Sequence, residues 1–380
     1  MSSQFDYSEL QQIIELNSHT KNKAGVDENG HVFSNWMQDL GFEIKRYERV
    51  KIGDHLLFIS NKTAGQKLLL LGHLDTVYPV NTFTQFHQDE HWIYGPGVCD
   101  MKGGNYVALS ALRNVYQTLG GIANIDMLLV SDEETGSDDS RALTSELAPK
   151  YDACLVFEAA GKNGEVVIGR KGVGTFEIDL HGKAAHAGNH YIDGRNANLA
   201  AAHMLVSLTA LTDLTKGTTV NVGQISGGIG ANTISPKANL KVEIRYTKLE
   251  EKKRLLNRLN QIVCSASNWG VSAHLSGGIQ RDVMQPNANQ AALLQQLETI
   301  IGERLLTEKR GGVSDANITS AAGLPTIDGF GPFGDGDHTL DERACKASFV
   351  KRIEQVTKIL AHYNAFQSKT VAERESAVVN

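Results

Sequence analysis

Short, unbroken apolar runs punctuate the first half of the chain, each set off from the next by a polar stretch. Residues 68–71, 127–130 and 153–157 carry no polar alternation, the pattern of a strand covered on both faces. Helical periodicity lies among them. Leu10, Ile13 and Ile14 share one face, and Phe33, Trp36, Met37 and Leu40 recur at i, i+3, i+4 and i+7 before Gly41 ends the stretch. Ala108, Leu109, Leu112, Val115 and Tyr116 make one side of a further helix. Buried runs alternating with amphipathic helices predict an α/β unit with a mainly parallel sheet.

The pattern changes near Gly172. Residues 173–180 read as a strand, 196–211 as an Ala- and Leu-rich helix, and 218–225 and 238–246 as two more strands. A charged amphipathic helix over 249–267 and a short strand over 271–275 follow. The order β-α-β-β-α-β predicts a small ferredoxin-like α+β layer. Glycines bound it, Gly172 and Gly174 before and Gly277 and Gly278 after. Helical patterns return over 291–301 and 349–363. Residues 173–278 are therefore expected to be an insertion in a larger unit built from 1–172 and 279–380, with a frayed polar tail after Asn364.

Composition narrows the class. A chain of 380 residues exceeds one ordinary core, and 41% hydrophobic with 21% charged residues suits a globular protein. A net charge of −6, with no Lys/Arg run, argues against nucleic acid as a partner. Nothing approaches the roughly 20 apolar residues of a membrane span, and the first fifteen residues hold no apolar signal core. Four scattered cysteines without a C-x-x-C pair suit a reducing compartment, so a cytoplasmic location is expected.

Three of the buried runs end in groups able to bind metal. The first leads into His73-Leu-Asp75, the second into Asp132-Glu133-Glu134, the third into Glu158. In a parallel sheet the strand C-termini line one edge, where ligands bind. One imidazole and several carboxylates gathered there would repel one another unless cations neutralised them, and zinc accepts that mixture of nitrogen and oxygen donors. Each piece alone has an ordinary reading: a chance H-x-D, a solvated acidic turn, a strand-end charge. Their shared placement favours the metal.

The segment Gly95-Pro-Gly-Val-Cys-Asp-Met-Lys-Gly-Gly104 sets Asp100 between glycine turns just before a helix. With it the chain resembles the dinuclear-zinc exopeptidases and amidohydrolases that include glutamate carboxypeptidases, aminoacylases, acetylornithine deacetylase and succinyl-diaminopimelate desuccinylase. The resemblance rests on His73-Leu-Asp75-Thr-Val, Asp100-Met-Lys-Gly-Gly, Asp132-Glu-Glu-Thr-Gly, Glu158, Gly182-Lys-Ala-Ala-His186-Ala-Gly and Asn232-Thr-Ile-Ser. Arg245, Gly311-Gly312-Val-Ser-Asp315 and His338-Thr339 extend it, and Arg170-Lys-Gly-Val-Gly is most similar to the glutamate carboxypeptidase branch.

The resemblance implies two zinc ions per subunit, with cobalt or manganese as substitutes. Asp100 would bridge them, His73 and Glu158 completing one site and Glu134 and His338 the other. Asp75 would hold the far nitrogen of His73, Glu133 would act as general base, and the Asp100–Met101 peptide would be cis. It also implies that the insert is a lid through which two subunits pair, with His186 steadying the oxyanion in the partner's site. Arg245 offers a fork for a substrate carboxylate, with Asn232 and the Gly311-Gly312 backbone nearby. A sheet-edge ion pair is the structural alternative for Arg245. Arg281 and Lys171 are candidates for an acidic side chain on the substrate.

Other motifs carry less. His87-Gln-Asp-Glu-His91 matches H-x-x-E-H, but no helical stripe supports it, so a surface loop or strand edge is expected. Cys99 reads as a small buried thiol. Gly227-Gly-Ile-Gly230 lacks the context of a phosphate loop. The expected activity is hydrolysis of the amide bond next to a free-carboxylate amino acid, on small peptides or N-acyl amino acids and with C-terminal glutamate as one candidate. An aminoacylase or deacylase is the alternative within the same chemistry, and a catalytically silent binding homologue the alternative outside it.

Overall fold

A computed structural model describes residues 6–364, and the polar tail after Asn364 lies outside them. Two compact units result. The first takes the described residues up to Ile168, together with Pro286–Lys309 and those from Ser314 onward. The second takes Gly169–Gln285 and Arg310–Val313. It runs wider than the glycine-bounded stretch because Arg170 and Met284 exchange main-chain hydrogen bonds at 3.1 Å.

The first unit is built on a six-stranded sheet. Its order is Glu43–Tyr47, His55–Ile59, Ile125–Val130, Leu68–His73, Ala153–Val156 and Thr326–Ile327. The last four run parallel, and the first two form an antiparallel edge. The Leu68–His73 strand is central and buried at every position, which explains its unalternating sequence. Leu68, Leu70, Ile125, Met127 and Leu155 join one core with Val107, Leu109 and Leu112 of the Lys102–Leu119 helix and Phe349, Val356 and Leu360 of the Lys346–Tyr363 helix.

The Lys23–Asp39 helix begins well before the apolar stripe seen in the sequence. Its first turns hold Gly25 and Gly30 rather than large apolar residues, and a Cβ on Gly30 would stand 2.9 Å from Leu56. Val26 is buried in these turns, but the neighbouring buried positions are Asn29 and Gly30, so the apolar period is broken there. Asn22 caps the helix by accepting from the Gly25 amide at 3.4 Å.

In the second unit the Gly172–His181, Thr219–Gly227, Lys237–Tyr246 and Ser272–Arg281 strands form a fully antiparallel sheet. Their order in the sheet is second, third, first, fourth. The Ala197–Thr209 and Leu249–Cys264 helices share its core through Ala201, Met204, Leu208, Leu255 and Leu259, packing against Ile178, Leu240 and Val242. This is the ferredoxin-like β-α-β-β-α-β arrangement. The last strand continues to Arg281, past Gly277 and Gly278, because Gly278 still pairs with Thr175. Among the described residues no helix is long and apolar enough to cross a membrane.

Candidate metal centre

The parallel strands of the first unit deliver their C-terminal residues to one edge of the sheet, and a set of imidazole and carboxylate groups that could hold a metal assembles there. His73 closes the central strand. Its Nδ1 lies 2.9 Å from the Asp75 main-chain oxygen and 3.5 Å from the Asp75 carboxylate. A carbonyl only accepts, so Nδ1 carries a hydrogen and Nε2 is the nitrogen that faces the carboxylates and would be free to take a metal once it gives up its own proton. Asp75 thus meets Nδ1 with its carbonyl oxygen at the shorter distance and with its carboxylate behind it. Its carboxylate, fully buried, accepts from Thr20 Oγ1 at 2.6 Å and from the Glu133 and Glu134 amides at 3.2 and 3.3 Å.

Asp100 is set by the close approach of its own loop to the sheet. A Cβ on Gly104 would stand 1.8 Å from the Phe157 carbonyl oxygen, and one on Gly103 would stand 2.1 Å from the Val98 carbonyl oxygen. Only glycines let the helix start press this closely against its own loop and the Phe157-Glu158 segment that follows the Ala153–Val156 strand. The Asp100–Met101 peptide is cis. Asn105, one turn into the same helix, donates to the His73 carbonyl oxygen at 2.7 Å.

Two overlapping trios of donors result, sharing Asp100. Asp100 Oδ1 lies 3.1 Å from His73 Nε2, which is 3.7 Å from Glu158 Oε1. Asp100 Oδ2 lies 3.2 Å from His338 Nε2, which is 3.3 Å from Glu134 Oε2. Glu133 and Glu134 sit in a 3-10 turn, Glu133–Thr135, closed by Gly136 at φ +104°, so the chain is not extended there. The turn lets adjacent carboxylates serve one site. The charge of Glu133 is felt by both Glu134 and Glu158.

The electrostatics describe a cluster in want of cations. Burial alone would lower the His73 imidazole, yet hydrogen bonds to Asp100 and Asp75 and the charge of Glu158 hold it well above its ordinary value. Hydrogen bonds to Asp100 and Glu134 carry His338 up to about 11. Burial works to raise Asp100, but the two imidazoles prevail and hold it well below the usual carboxylate range. Desolvation and the nearby Asp100 charge push Glu134 up to about 8 and Glu158 well above its ordinary value. Protons hold these groups together where no metal does.

The donors fit divalent ions. Two ligand atoms each about 2.1 Å from one tetrahedral zinc stand about 3.4 Å apart, and the four separations above straddle that value. His73, Asp100 and Glu134 offer donors all within 4.8 Å of one another. Glu134 Oε1 is buried without a hydrogen-bond partner, an acceptor that a cation would satisfy.

The remaining candidates lie in the second unit. Arg245 donates from Nη1 to the Gly311 carbonyl oxygen at 2.9 Å and meets both oxygens of Glu243 at 2.8 and 3.3 Å. Arg170 binds the Gly312 carbonyl oxygen at 3.2 Å. Asn232 accepts from the Ala187 amide at 2.9 Å, beside exposed His186. His186 Nδ1 accepts from the Gly188 and Asn189 amides at 3.2 and 3.1 Å, so Nε2 is its hydrogen-bearing nitrogen. Arg281 is buried, and Lys171 is half-buried with its amide on the Arg310 carbonyl oxygen. His87 and His91 sit on an exposed hairpin, and His87 stacks on Tyr94 at 4.2 Å.

Two residues escaped sequence reasoning. Glu243 lies two positions from Arg245 on one strand, so period-two alternation puts both on the same face, a signal that could have found it. Glu342, buried beneath the metal-ligand loops, stands in a polar stretch with no pattern.

Comparison with known proteins fits this architecture. The crystal structure of aminopeptidase PepT from Bacillus cereus shares the fold, with a TM-score of 0.80 over 93% of this chain and 97% of that one at 22% identity. The family model that the chain matches makes it a metallopeptidase. The model of Peptidase family M20/M25/M40 matches residues 69–362, and the chain belongs to that family. Carboxypeptidase G2 of Pseudomonas sp. (strain RS-16) is 27% identical over 340 residues, 87% of this chain and 82% of that protein. Succinyl-diaminopimelate desuccinylase of Paracoccus denitrificans is 29% identical over 353 residues, 86% of this chain and 90% of that protein.

Proposed function

We propose that this metallopeptidase is a two-metal exopeptidase of the carboxypeptidase type, cleaving the amide bond next to a free-carboxylate amino acid in small peptides or N-acyl amino acids. The observation that carries the reading is the pair of donor trios meeting at Asp100 with Glu133 beside them. His73, Asp100 and Glu158 would hold one ion, and Glu134, Asp100 and His338 the other, zinc being the first choice and cobalt or manganese substitutes. When bound, such ions supply Lewis-acid polarisation of the scissile carbonyl and make water easier to deprotonate.

The chain's own groups do the rest. Asp75 keeps the proton of His73 on Nδ1. Glu133 takes a proton from the attacking water and gives it to the leaving amine nitrogen. Arg245 reads the substrate carboxylate, helped by Asn232 and the Gly311-Gly312 backbone. Arg281 and Lys171 are candidates for an acidic side chain, as a C-terminal glutamate would present.

The second unit is proposed as lid and dimer surface, with His186 offering its Nε2–H to the oxyanion in a partner copy's site. Exposed apolar side chains there support pairing: Ile192 is 87% and Val206 68% exposed. A cytoplasmic location suits four cysteines, none of them disulfide-bonded.

A deacylase of N-acyl amino acids is the second reading, favoured by similarity to a protein named for removing a succinyl group. Turnover of zinc-loaded protein on C-terminal glutamyl peptides, folylglutamates, and N-acetyl and N-succinyl amino acids separates the two. Hydrolysis of peptides and folylglutamates is expected. Cleavage of simple acyl groups alone supports the deacylase, and no cleavage by protein holding two metals defeats both in favour of a silent homologue.

A further inference from the structure

We infer that Glu342 is a positioning residue that fixes Asp100 and His338 relative to each other and so sets the affinity of the metal site they share with Glu134; this rests on the two-metal reading above. Glu342 is fully buried, and four donors converge on its carboxylate. Oε1 accepts from the amides of Cys99 at 2.8 Å and Asp100 at 3.0 Å. Oε2 accepts from the Gly97 amide at 2.9 Å and the Tyr78 hydroxyl at 2.7 Å. The same hydroxyl lies 2.9 Å from the Thr339 carbonyl oxygen, so its single hydrogen is shared between two acceptors, the shorter contact being to Glu342. One carboxylate therefore gathers the loop that presents Asp100, and Tyr78 joins it to the residue after His338.

The arrangement needs a carboxylate rather than an isostere. Every neighbour is a donor, so an amide in its place would turn its own N–H groups toward N–H or O–H groups on one side. A buried carboxylate is an expensive way to pack a loop: burial pushes Glu342 up to about 7 even though the Asp100 and Gly97 amides and the Tyr78 hydroxyl favour its charged form. It gains a purpose where the loop must present both oxygens of Asp100 to two imidazoles.

The two sites should not depend on it equally. His73 is pinned independently, at Nδ1 by the Asp75 carbonyl oxygen and at its own carbonyl oxygen by Asn105. The His338 side chain is 57% exposed, and among the described residues its ring meets the carboxylates of Asp100 and Glu134. A slip of the 97–100 loop therefore falls on the His338 trio.

The test is zinc titration by calorimetry of the metal-stripped full-length protein, comparing wild type with Glu342→Gln, Tyr78→Phe and His338→Ala. Wild type should take up two equivalents; fewer would defeat the two-metal reading itself rather than this inference. His338→Ala identifies which equivalent belongs to the His338 side. In Glu342→Gln that same equivalent should weaken about 10- to 100-fold, the usual cost of losing an outer partner of a metal ligand, with the other within about threefold. Tyr78→Phe, which removes one of the four donors, should weaken it less. Unchanged affinity for both equivalents in Glu342→Gln overturns the inference, whatever happens to thermal stability, and so does equal weakening of both. If Glu342→Gln does not fold, Tyr78→Phe decides by the same reading.

Discussion

Arg245 points its guanidinium along its own strand at Glu243, two residues away, with Nε and Nη2 each on a separate carboxylate oxygen. The fork proposed to read a substrate carboxylate thus already holds one from its own chain. Both partners are partly exposed, so the pair is a weak competitor. If Arg245 binds substrate, Glu243→Gln should lower KM for carboxylate-bearing substrates about two- to fivefold with kcat little changed. Arg245→Ala should cost roughly 10- to 100-fold in kcat/KM. Steady-state kinetics with a peptide and its C-terminal amide measures both. Equal loss on the two substrates in Arg245→Ala would leave the pair as a sheet-surface ion bridge.

Glu133 and Glu134 are neighbours, and the two jobs proposed for them can be separated. Glu134 Oε2 lies 3.3 Å from His338 Nε2 within the cluster of candidate ligands. Glu133→Gln should keep both metals and substrate affinity while losing roughly 10²–10⁴-fold in turnover, because an amide takes no proton from water. Glu134→Gln should weaken one metal equivalent instead. Metal content and turnover measured on both variants distinguish them, and a Glu133→Gln protein that stays active or sheds metal defeats its assignment.

Much of this site is legible in the sequence because buried parallel strands announce themselves. The runs at 68–71, 127–130 and 153–157 have no alternation, and the polar groups that follow them necessarily gather at one sheet edge. His338 has no such run before it. It sits at φ +63° in a loop after Gly336, placed by contacts to Asp100 and Glu134 that are remote in sequence, so only resemblance to a known family points to it. Asp75 is expected to hold the far nitrogen of His73, and both its main-chain and its side-chain oxygens lie near that Nδ1. The nearer contact is its carbonyl oxygen, and a residue letter does not say which of its oxygens faces a neighbour. The early start of the Lys23–Asp39 helix is hidden because the buried positions that follow Val26 are Asn29 and Gly30, which leave no apolar mark.

Metal uptake should be opposed by acid. Glu134, pushed up to about 8 by burial and the Asp100 charge, and His338, held up to about 11 by its two carboxylates, both carry protons at pH 7 when no metal is bound. A metal must displace those protons, so lowering pH strengthens the competitor and weakens binding. Each proton displaced gives about a tenfold rise in apparent affinity per pH unit. Zinc titrations between about pH 6 and pH 7.5, in buffers of differing ionisation enthalpy, count the protons directly. An affinity that does not change over that range rules the coupling out.

Pairing through the second unit can be tested together with the trans role of His186. Val206 stands 68% exposed on the Ala197–Thr209 helix, and Ile192 is 87% exposed in the segment leading to it. If these side chains meet a second copy, Val206→Lys should shift the protein from dimer to monomer at micromolar concentration in sedimentation or light scattering. Activity should fall with the dimer. Complementation is more decisive because it does not depend on stability. His186→Ala and Glu133→Gln should each be nearly inactive alone. In a dimer of one of each, the site with intact Glu133 receives intact His186 from the other chain, while the second site lacks both. Co-expressed in equal amounts and pairing at random, the two chains would leave about a quarter of all sites whole. Recovery of about a quarter of wild-type activity is therefore expected. A mixture no better than its inactive parents would mean that His186 serves its own chain, or that the copies do not pair through this unit.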